Sequence, residues 1–165
     1  MVLPHLDAAY NLARWLAGND HDAQDVTQEA SLRAFKFFGS FRGENPRAWL
    51  LTIVRNTFYN WLKKNRPAEI AGELDEEALA VEDASANVET INLRQADAET
   101  VRNAIGELPV EFREMIVLRE MEGFSYKEIA DLSDVPIGTV MSRLARARKQ
   151  LQTRLAGEFQ TGGAK

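Results

Sequence analysis

Residues 125–155 read SYKEIADLSDVPIGTVMSRLARARKQLQTRL, and this stretch decides the fold class. Ser125 followed three residues on by Glu128 is a capping box: the serine caps a helix and the glutamate reaches back. A short helix is expected to about Leu132, then a tight turn at Ser133-Asp134-Val135. Pro136, with its φ preset for a helix start, opens a long final helix to about Leu155. A short helix, a three-residue turn and a longer basic helix make the helix-turn-helix layout. On a 100° wheel with Arg143 at zero, Ala147, Val140, Leu151, Leu144 and Leu155 fall between about 40° and 120°, a buried stripe. Lys149, Ser142, Thr153, Arg146, Thr139 and Gln150 fall between about 240° and 340°. This second face carries donors and cations and no carboxylate, as a helix reading a major groove requires. A solvated basic helix end, favoured by the macrodipole, is the plainer reading of the same charges. The capped first helix, Pro136 and the missing acids favour DNA.

Working outward, helical signals run through the whole chain, with no convincing alternating strand and no Asn-Gly hairpin. A helix is expected over Asp97–Gly106. Pro109 opens another, through Met121, with Gly123 as its stop. Nearer the N-terminus, helices are expected over Leu6–Ala17, Asp22–Phe38 and Pro46–Asn65. The turn at Gly18-Asn19-Asp20 supplies N-cap candidates. Residues 39–45 read as a loop because Gly, Ser and Asn cluster there. Pro67 ends the third helix. The fold class is therefore all-α: two small helical domains, residues 1–67 and 97–160, joined by an acidic linker over 68–96. Residues 161–165 read as a frayed tail.

The 165 residues contain no cysteine and two histidines, His5 and His21. Disulfide scaffolds, thiol nucleophiles, Fe–S clusters and Cys-ligated zinc are thereby excluded, and no metal or other cofactor is expected. No apolar run approaches the roughly 18 residues of a membrane span. The N-terminus lacks a signal-peptide pattern, so the expected location is cytoplasmic. The net charge of −5 hides an uneven distribution. Residues 1–67 are net +3, residues 68–98 net −8 and residues 99–165 net 0. Two stretches lack acid altogether, and distribution matters more than net charge in seeking a nucleic-acid footprint. Asn45–Ala68 carries Arg47, Arg55, Lys63, Lys64 and Arg66. Val135–Gly157 carries Arg143, Arg146, Arg148, Lys149 and Arg154.

The third helix repeats the two-faced pattern. With Arg55 at zero, Arg66, Tyr59, Thr52, Lys63 and Asn56 fall within about 0° to 100°. Ile53, Thr57, Leu50, Trp61, Val54 and Phe58 occupy about 160° to 300°. Cations can hold phosphates while Tyr59 stacks on a base. The loop Phe41-Arg42-Gly43-Glu44-Asn45 lies just before, with Trp49 on the first turn, and aromatics beside cations suit an unstacked single strand. From spacing alone, Phe41 and Trp49 fit a core role equally well. The second helix carries Asp22, Asp25, Gln28, Glu29 and Arg33. With no nucleophile, metal ligand or phosphate loop beside them, these fit a solvated or protein-binding face better than a catalytic one. His21 reads as a surface residue.

These motifs resemble a known family. Asp22-Ala23-Gln24-Asp25-Val26-Thr27-Gln28-Glu29, with Leu32-Arg33-Ala34-Phe35, is similar to the polymerase-binding segment of σ70-type factors. Phe41-Arg42-Gly43, Ala48-Trp49-Leu50 and Ile53-Val54-Arg55-Asn56 resemble their −10-reading and promoter-melting segment. Leu108-Pro109, Phe124 to Ala130, Pro136 to Val140 and Ser142 to Arg148 resemble their fourth region. Two such regions on a short linker match the extracytoplasmic-function (ECF, group 4) σ70-family RNA polymerase sigma factors. Met141, Asn60 and Ser31 depart from the usual pattern, which often has a cation, Asp and a large apolar residue there.

The resemblance implies a subunit that directs core RNA polymerase to promoters and has no catalytic centre of its own. It implies docking through Asp25, Gln28 and Glu29 on the β′ clamp helices, with the fourth region on the β flap. It implies −10 recognition by Phe41, Arg42, Asn45, Trp49, Arg55, Asn56, Tyr59 and Lys63. It implies −35 recognition by Thr139, Ser142, Arg143, Arg146 and Lys149, and control by an anti-sigma factor. The acidic linker would pass through channels otherwise taken by nucleic acid, or serve as an inert spacer. Two rivals remain at this point. A helix-turn-helix regulator acting without polymerase would leave the basic face of the third helix unused. A helical hydrolase lacks its nucleophile–base pair.

Overall fold

The computed structural model describes residues 3–41, 43, 45–67 and 97–163. The linker and Arg42 lie outside the described residues. Within them there is no strand. Seven α-helices follow in order: α1 Leu6–Ala17, α2 Asp20–Lys36, α3 Pro46–Asn65, α4 Ala98–Gly106, α5 Val110–Ile116, α6 Tyr126–Ser133 and α7 Ile137–Gly163. Short 3₁₀ turns at Leu3–His5 and Phe38–Ser40 precede α1 and follow α2. The all-α expectation holds. By their contacts the described residues form two compact units: 3–67 with Lys127–Val135, and 97–126 with Pro136 onward.

In the first unit α1, α2 and α3 all pack on one another. Gly18, in the left-handed region at φ 91°, closes α1 by donating its N–H to the Arg14 carbonyl. Asn19 then caps α2, its side chain accepting from the Asp22 N–H at 2.8 Å. This cap starts α2 two residues before the expected Asp22. The core is asymmetric. Leu12 and Leu16 of α1 and Leu50, Leu51, Val54, Phe58 and Leu62 of α3 are fully buried. From α2 the buried residues are Ala23, Val26, Ala30 and Ala34. These small side chains, spaced three and four apart, line one face and let the neighbouring helices approach closely. The larger apolar residues of α2 point outward: Leu32 is 65% exposed and Phe35 87%.

In the second unit α7 packs against α5 and α4. All five residues of the stripe expected on α7 are buried: Val140, Leu144, Ala147, Leu151 and Leu155. They meet a core that includes Ile105, Leu108, Phe112, Met115, Ile116 and Leu118. Arg113 closes the end of α4, donating to the carbonyls of Gly106 and Leu108 at 3.1 and 3.0 Å. The helix expected through Met121 widens to π-helical hydrogen bonding over Val117–Met121. Gly123, at φ 75°, ends it as expected, and the Phe124 N–H returns to the Leu118 carbonyl.

The chain between α6 and α7 turns at Asp134, whose φ of 57° is the left-handed geometry an aspartate tolerates better than most side chains. The Val135 N–H reaches back to the Ala130 carbonyl. Pro136 stands one position before its expected place. Its carbonyl accepts from the N–H groups of Thr139 and Val140, so it is the N-cap and α7 begins at Ile137. The final helix runs to Gly163, eight residues past the expected Leu155.

Candidate functional site

Three surfaces carry the candidate residues, two on the first unit and one on the second. On α2, Asp25, Gln28 and Glu29 are exposed. Asp25 lies 3.8 Å from the imidazole of exposed His21, and Glu29 accepts from the Arg33 guanidinium at 3.0 Å. Asp22 does not share that open face. It sits at the N-terminal turn, 21% exposed, held by the Asn19 amide and by an ion pair with Arg66 at the end of α3. The Asn19 hydrogen bond first, then Arg66, hold its carboxyl below the usual aspartate value of 3.8.

A depressed folded-state pKa gives stability that is present above the unfolded value and lost as pH falls through the folded one. Asp22→Asn is therefore expected to be less stable than the parent chain at pH 7. The gap should shrink as pH drops below about 3.8. Urea unfolding at both pH values checks it, and a gap that does not change with pH would refute the role.

A wheel of α2 places Leu32 and Phe35, which the motif includes, beside the three docking residues. With Asp25 at zero, Gln28, Leu32, Phe35 and Glu29 fall between about 280° and 40°, opposite the alanine stripe. The acidic face is therefore continuous with exposed Leu32 and Phe35. Phe37 and Phe38, just beyond, are 51% and 42% exposed. The signal was legible: alanine and valine at helical spacing fill the buried face, leaving Leu32 and Phe35 on the other side.

The second surface is the loop before α3 and the polar side of that helix. Phe38, Phe41 and Trp49 form a trio with centroid separations of 6.5, 6.1 and 5.2 Å. Phe41 and Trp49 are half-buried, so they anchor the loop while keeping ring surface open. Asn45 caps α3, its side chain accepting from the Ala48 N–H at 3.0 Å. Along α3, the Arg55 guanidinium lies 4.5 Å over the Tyr59 ring and donates to the Asn56 side chain at 3.3 Å. Lys63 is exposed one turn further on. Sequence spacing thus brought together four residues of the expected face, three of them interlocked. The buried arc is rotated from expectation: Leu51 and Leu62 are buried, while Ile53 and Trp61 are half-buried.

The third surface is α7. Thr139, Ser142 and Arg146 are half-buried and Lys149 is exposed. Arg143 does not join them. It is 8% exposed, because it borders the buried stripe, and is corrected from a DNA-facing to a packed residue. Arg148 and Arg154 pair with Glu120 and Glu107 at 3.4 and 3.2 Å. A shallow groove of about 380 Å³ continues the face, lined by Arg146, Lys149, Gln150, Thr153 and Arg154. Such a surface suits phosphate oxygens and base edges. No helix among the described residues is long and apolar enough to cross a membrane.

Comparison with known proteins agrees with this geometry. Residues 1–68 match the model of Sigma-70 region 2, and residues 98–151 that of Sigma-70 region 4. The chain is 37% identical to the ECF RNA polymerase sigma-E factor of Escherichia coli, covering 81% of this chain and 74% of that protein. It is 35% identical to the ECF RNA polymerase sigma factor SigE of Mycolicibacterium smegmatis, over 94% of this chain. The chain spans 60% of that relative's length. Among solved structures it is similar to the sigma factor RpoE of Bartonella quintana, solved with the anti-sigma factor NepR. The TM-score is 0.71, with 31% identity and 94% of each chain covered. It is also similar to CnrH, solved with the cytosolic domain of CnrY: TM-score 0.63, 25% identity, 94% of this chain and 85% of that one.

Proposed function

The chain belongs to the extracytoplasmic-function branch of the σ70 family of RNA polymerase sigma factors, and from that membership we propose that it directs core RNA polymerase to promoters as an alternative sigma factor. The observation that carries this is the pairing of two σ70 regions, each with a basic face from an acid-free stretch, on either side of an acidic segment. The division of labour follows the sequence boundaries. Residues 1–67 dock on polymerase and take the −10 element, residues 68–96 link, and residues 97–160 take the −35 element. Docking uses Asp25, Gln28 and Glu29, extended by Leu32 and Phe35. The −10 strand meets Phe41, Arg42, Trp49, Arg55, Asn56, Tyr59 and Lys63, with Asn45 setting the start of α3. The −35 element meets Thr139, Ser142, Arg146 and Lys149. The chain acts as a binding subunit with no catalytic centre, in the cytoplasm, and an anti-sigma protein is its expected regulator. A solved relative in complex with an anti-sigma factor supports that last point.

Run-off transcription with purified core polymerase tests the proposal, on templates drawn from a selection of bound promoters. The parent chain should support promoter-dependent transcripts. Binding to duplex without polymerase, and no transcript, would favour the independent regulator. In the same assay Arg146→Ala should weaken promoter use by about 1–3 kcal/mol and relax one base of the −35 element. Lys149→Ala should weaken all sequences alike and flatten the salt dependence. Unchanged −35 selectivity in both variants would overturn the assignment to α7.

A further inference from the structure

Between α2 and α3 the first unit has a cleft of about 440 Å³ that the motif reading does not use. One wall is Asp25, Glu29 and Arg33 of α2, and the other is Asn60, Trp61, Lys64 and Asn65 of α3, with Thr57 also lining it. On the wheel of α3 with Arg55 at zero, Asn60, Lys64, Thr57 and Trp61 fall at about 140° to 240°, away from the Arg55–Tyr59 face. The helix therefore presents two separate surfaces, and the nucleic-acid reading absorbs only one.

Three observations say that this cleft is built to receive something. Thr57 is 2% exposed and its hydroxyl has no hydrogen-bond partner among the described residues, although burying an unsatisfied hydroxyl is costly. Trp61 is stacked on Phe58 at 6.0 Å and covered by the Arg66 guanidinium at 4.9 Å, and Arg66 is in turn held by Asp22. Its indole is thus fixed before any partner arrives, and rigid aromatic anchors of this kind dominate binding energy at interfaces. Finally, Asp25 and Glu29 stand on the cleft wall and on the docking face of α2 at once, so a partner seated on that face borders the cleft.

We propose that the polymerase-docking face of α2 continues into this two-walled cleft, with Asn60, Trp61 and Lys64 of α3 as its second wall. The occupant is a helix of core polymerase. It presents a cationic side chain to Asp25 and Glu29, and a carboxylate or free carbonyl to Lys64. The charges favour that orientation: Asp25 and Glu29 against the single cation Arg33 leave the α2 wall net negative, while an ammonium and two side-chain amides line the α3 wall. The proposal rests on the docking reading above and adds to it a helix that the motif did not include.

The test is the dissociation constant for purified core polymerase without DNA, with helicity checked by circular dichroism. Asn60→Trp puts bulk into the cleft from an exposed position and should weaken binding about tenfold or more. Lys64→Glu reverses the charge of the α3 wall and should weaken binding about threefold to tenfold, less so at high salt. Lys64 is exposed, so this second variant keeps the test valid where the tryptophan disturbs folding. If both variants bind like the parent chain while Asp25→Lys with Glu29→Lys does not bind, docking on α2 stands and the second wall falls. If that double reversal also binds normally, the docking reading itself falls. Tighter binding by Lys64→Glu would overturn the assigned charge of the occupant.

Discussion

Reversing the charge at Asp25 and Glu29 together should abolish co-elution of the chain with core RNA polymerase. The two carboxylates are 55% and 54% exposed, and neither supports the core. Asp25 lies 3.8 Å from the imidazole of His21, and Glu29 holds Arg33, each one turn along the same helix. An exposed pair of that kind contributes about 0.2–0.5 kcal/mol to a helix. The double variant should therefore keep its helicity, with stability shifted by no more than about 0.5 kcal/mol per site. Binding behaves differently. A partner that presents cations to this face would meet two new like charges, each costing several kcal/mol on close approach. Leu32 and Phe35 give a second arm. They occupy the same side of α2, and burying either large apolar side chain is worth about 1.5–3 kcal/mol. Phe35→Ala should weaken binding at low and high salt alike, whereas the charge effect is screened as salt rises. Co-elution of the double charge reversal at the parent level would sink the docking assignment.

How far the sequence could be read depended on which physical signal each feature carries. The α7 stripe was legible because five apolar residues at helical spacing admit one buried face, and all five are buried. The start of α3 was legible because Pro46, which suits the first turn of a helix, is a local signal. The end of α7 was not: no proline follows Leu155, and Gly157, the first breaker signal there, lies inside the helix. Arg143 shows the limit of a wheel, which orders side chains by angle but does not say where the core ends. At zero degrees it stood between the buried stripe and the basic face, and packing drew it inward. The cleft between α2 and α3 was out of reach of one-helix reasoning, because it exists only once two helices pack. The ion pair of Asp22 with Arg66 is of the same kind, joining residues 44 positions apart.

Replacing residues 42–44 with Gly-Ser-Gly should remove promoter opening while leaving polymerase binding and −35 protection intact. Asn45 must stay, because it caps α3, and losing such a cap costs about 1 kcal/mol of stability for reasons unrelated to DNA. The flanks of the loop are rigid. Phe38, Phe41 and Trp49 pack together on both sides of it, and the Ser40 hydroxyl donates to the Phe37 carbonyl at 2.7 Å. The helix that follows presents Arg55, Tyr59 and Asn56 already interlocked, with Lys63 beyond. Cations alone would hold duplex phosphates, with affinity falling steeply as salt rises. Opening a duplex asks for more, since extruding a base costs about a few kcal/mol of lost stacking and pairing. Contacts to the extruded base must recover that cost, and half-buried aromatics with open ring surface can supply stacking worth about 1–3 kcal/mol per base. The loop should thus govern opening more than closed-complex affinity. Permanganate reactivity of unpaired thymines near the start site should disappear in the loop variant. A template with a premelted bubble should restore much of its transcription, because the cost of extrusion is then already met. Trp49→Ala should lose reactivity in the same way, since it removes the ring against which the loop aromatics rest. Opening of duplex promoters at the parent rate by the loop variant would return Phe41 and Trp49 to a purely structural role.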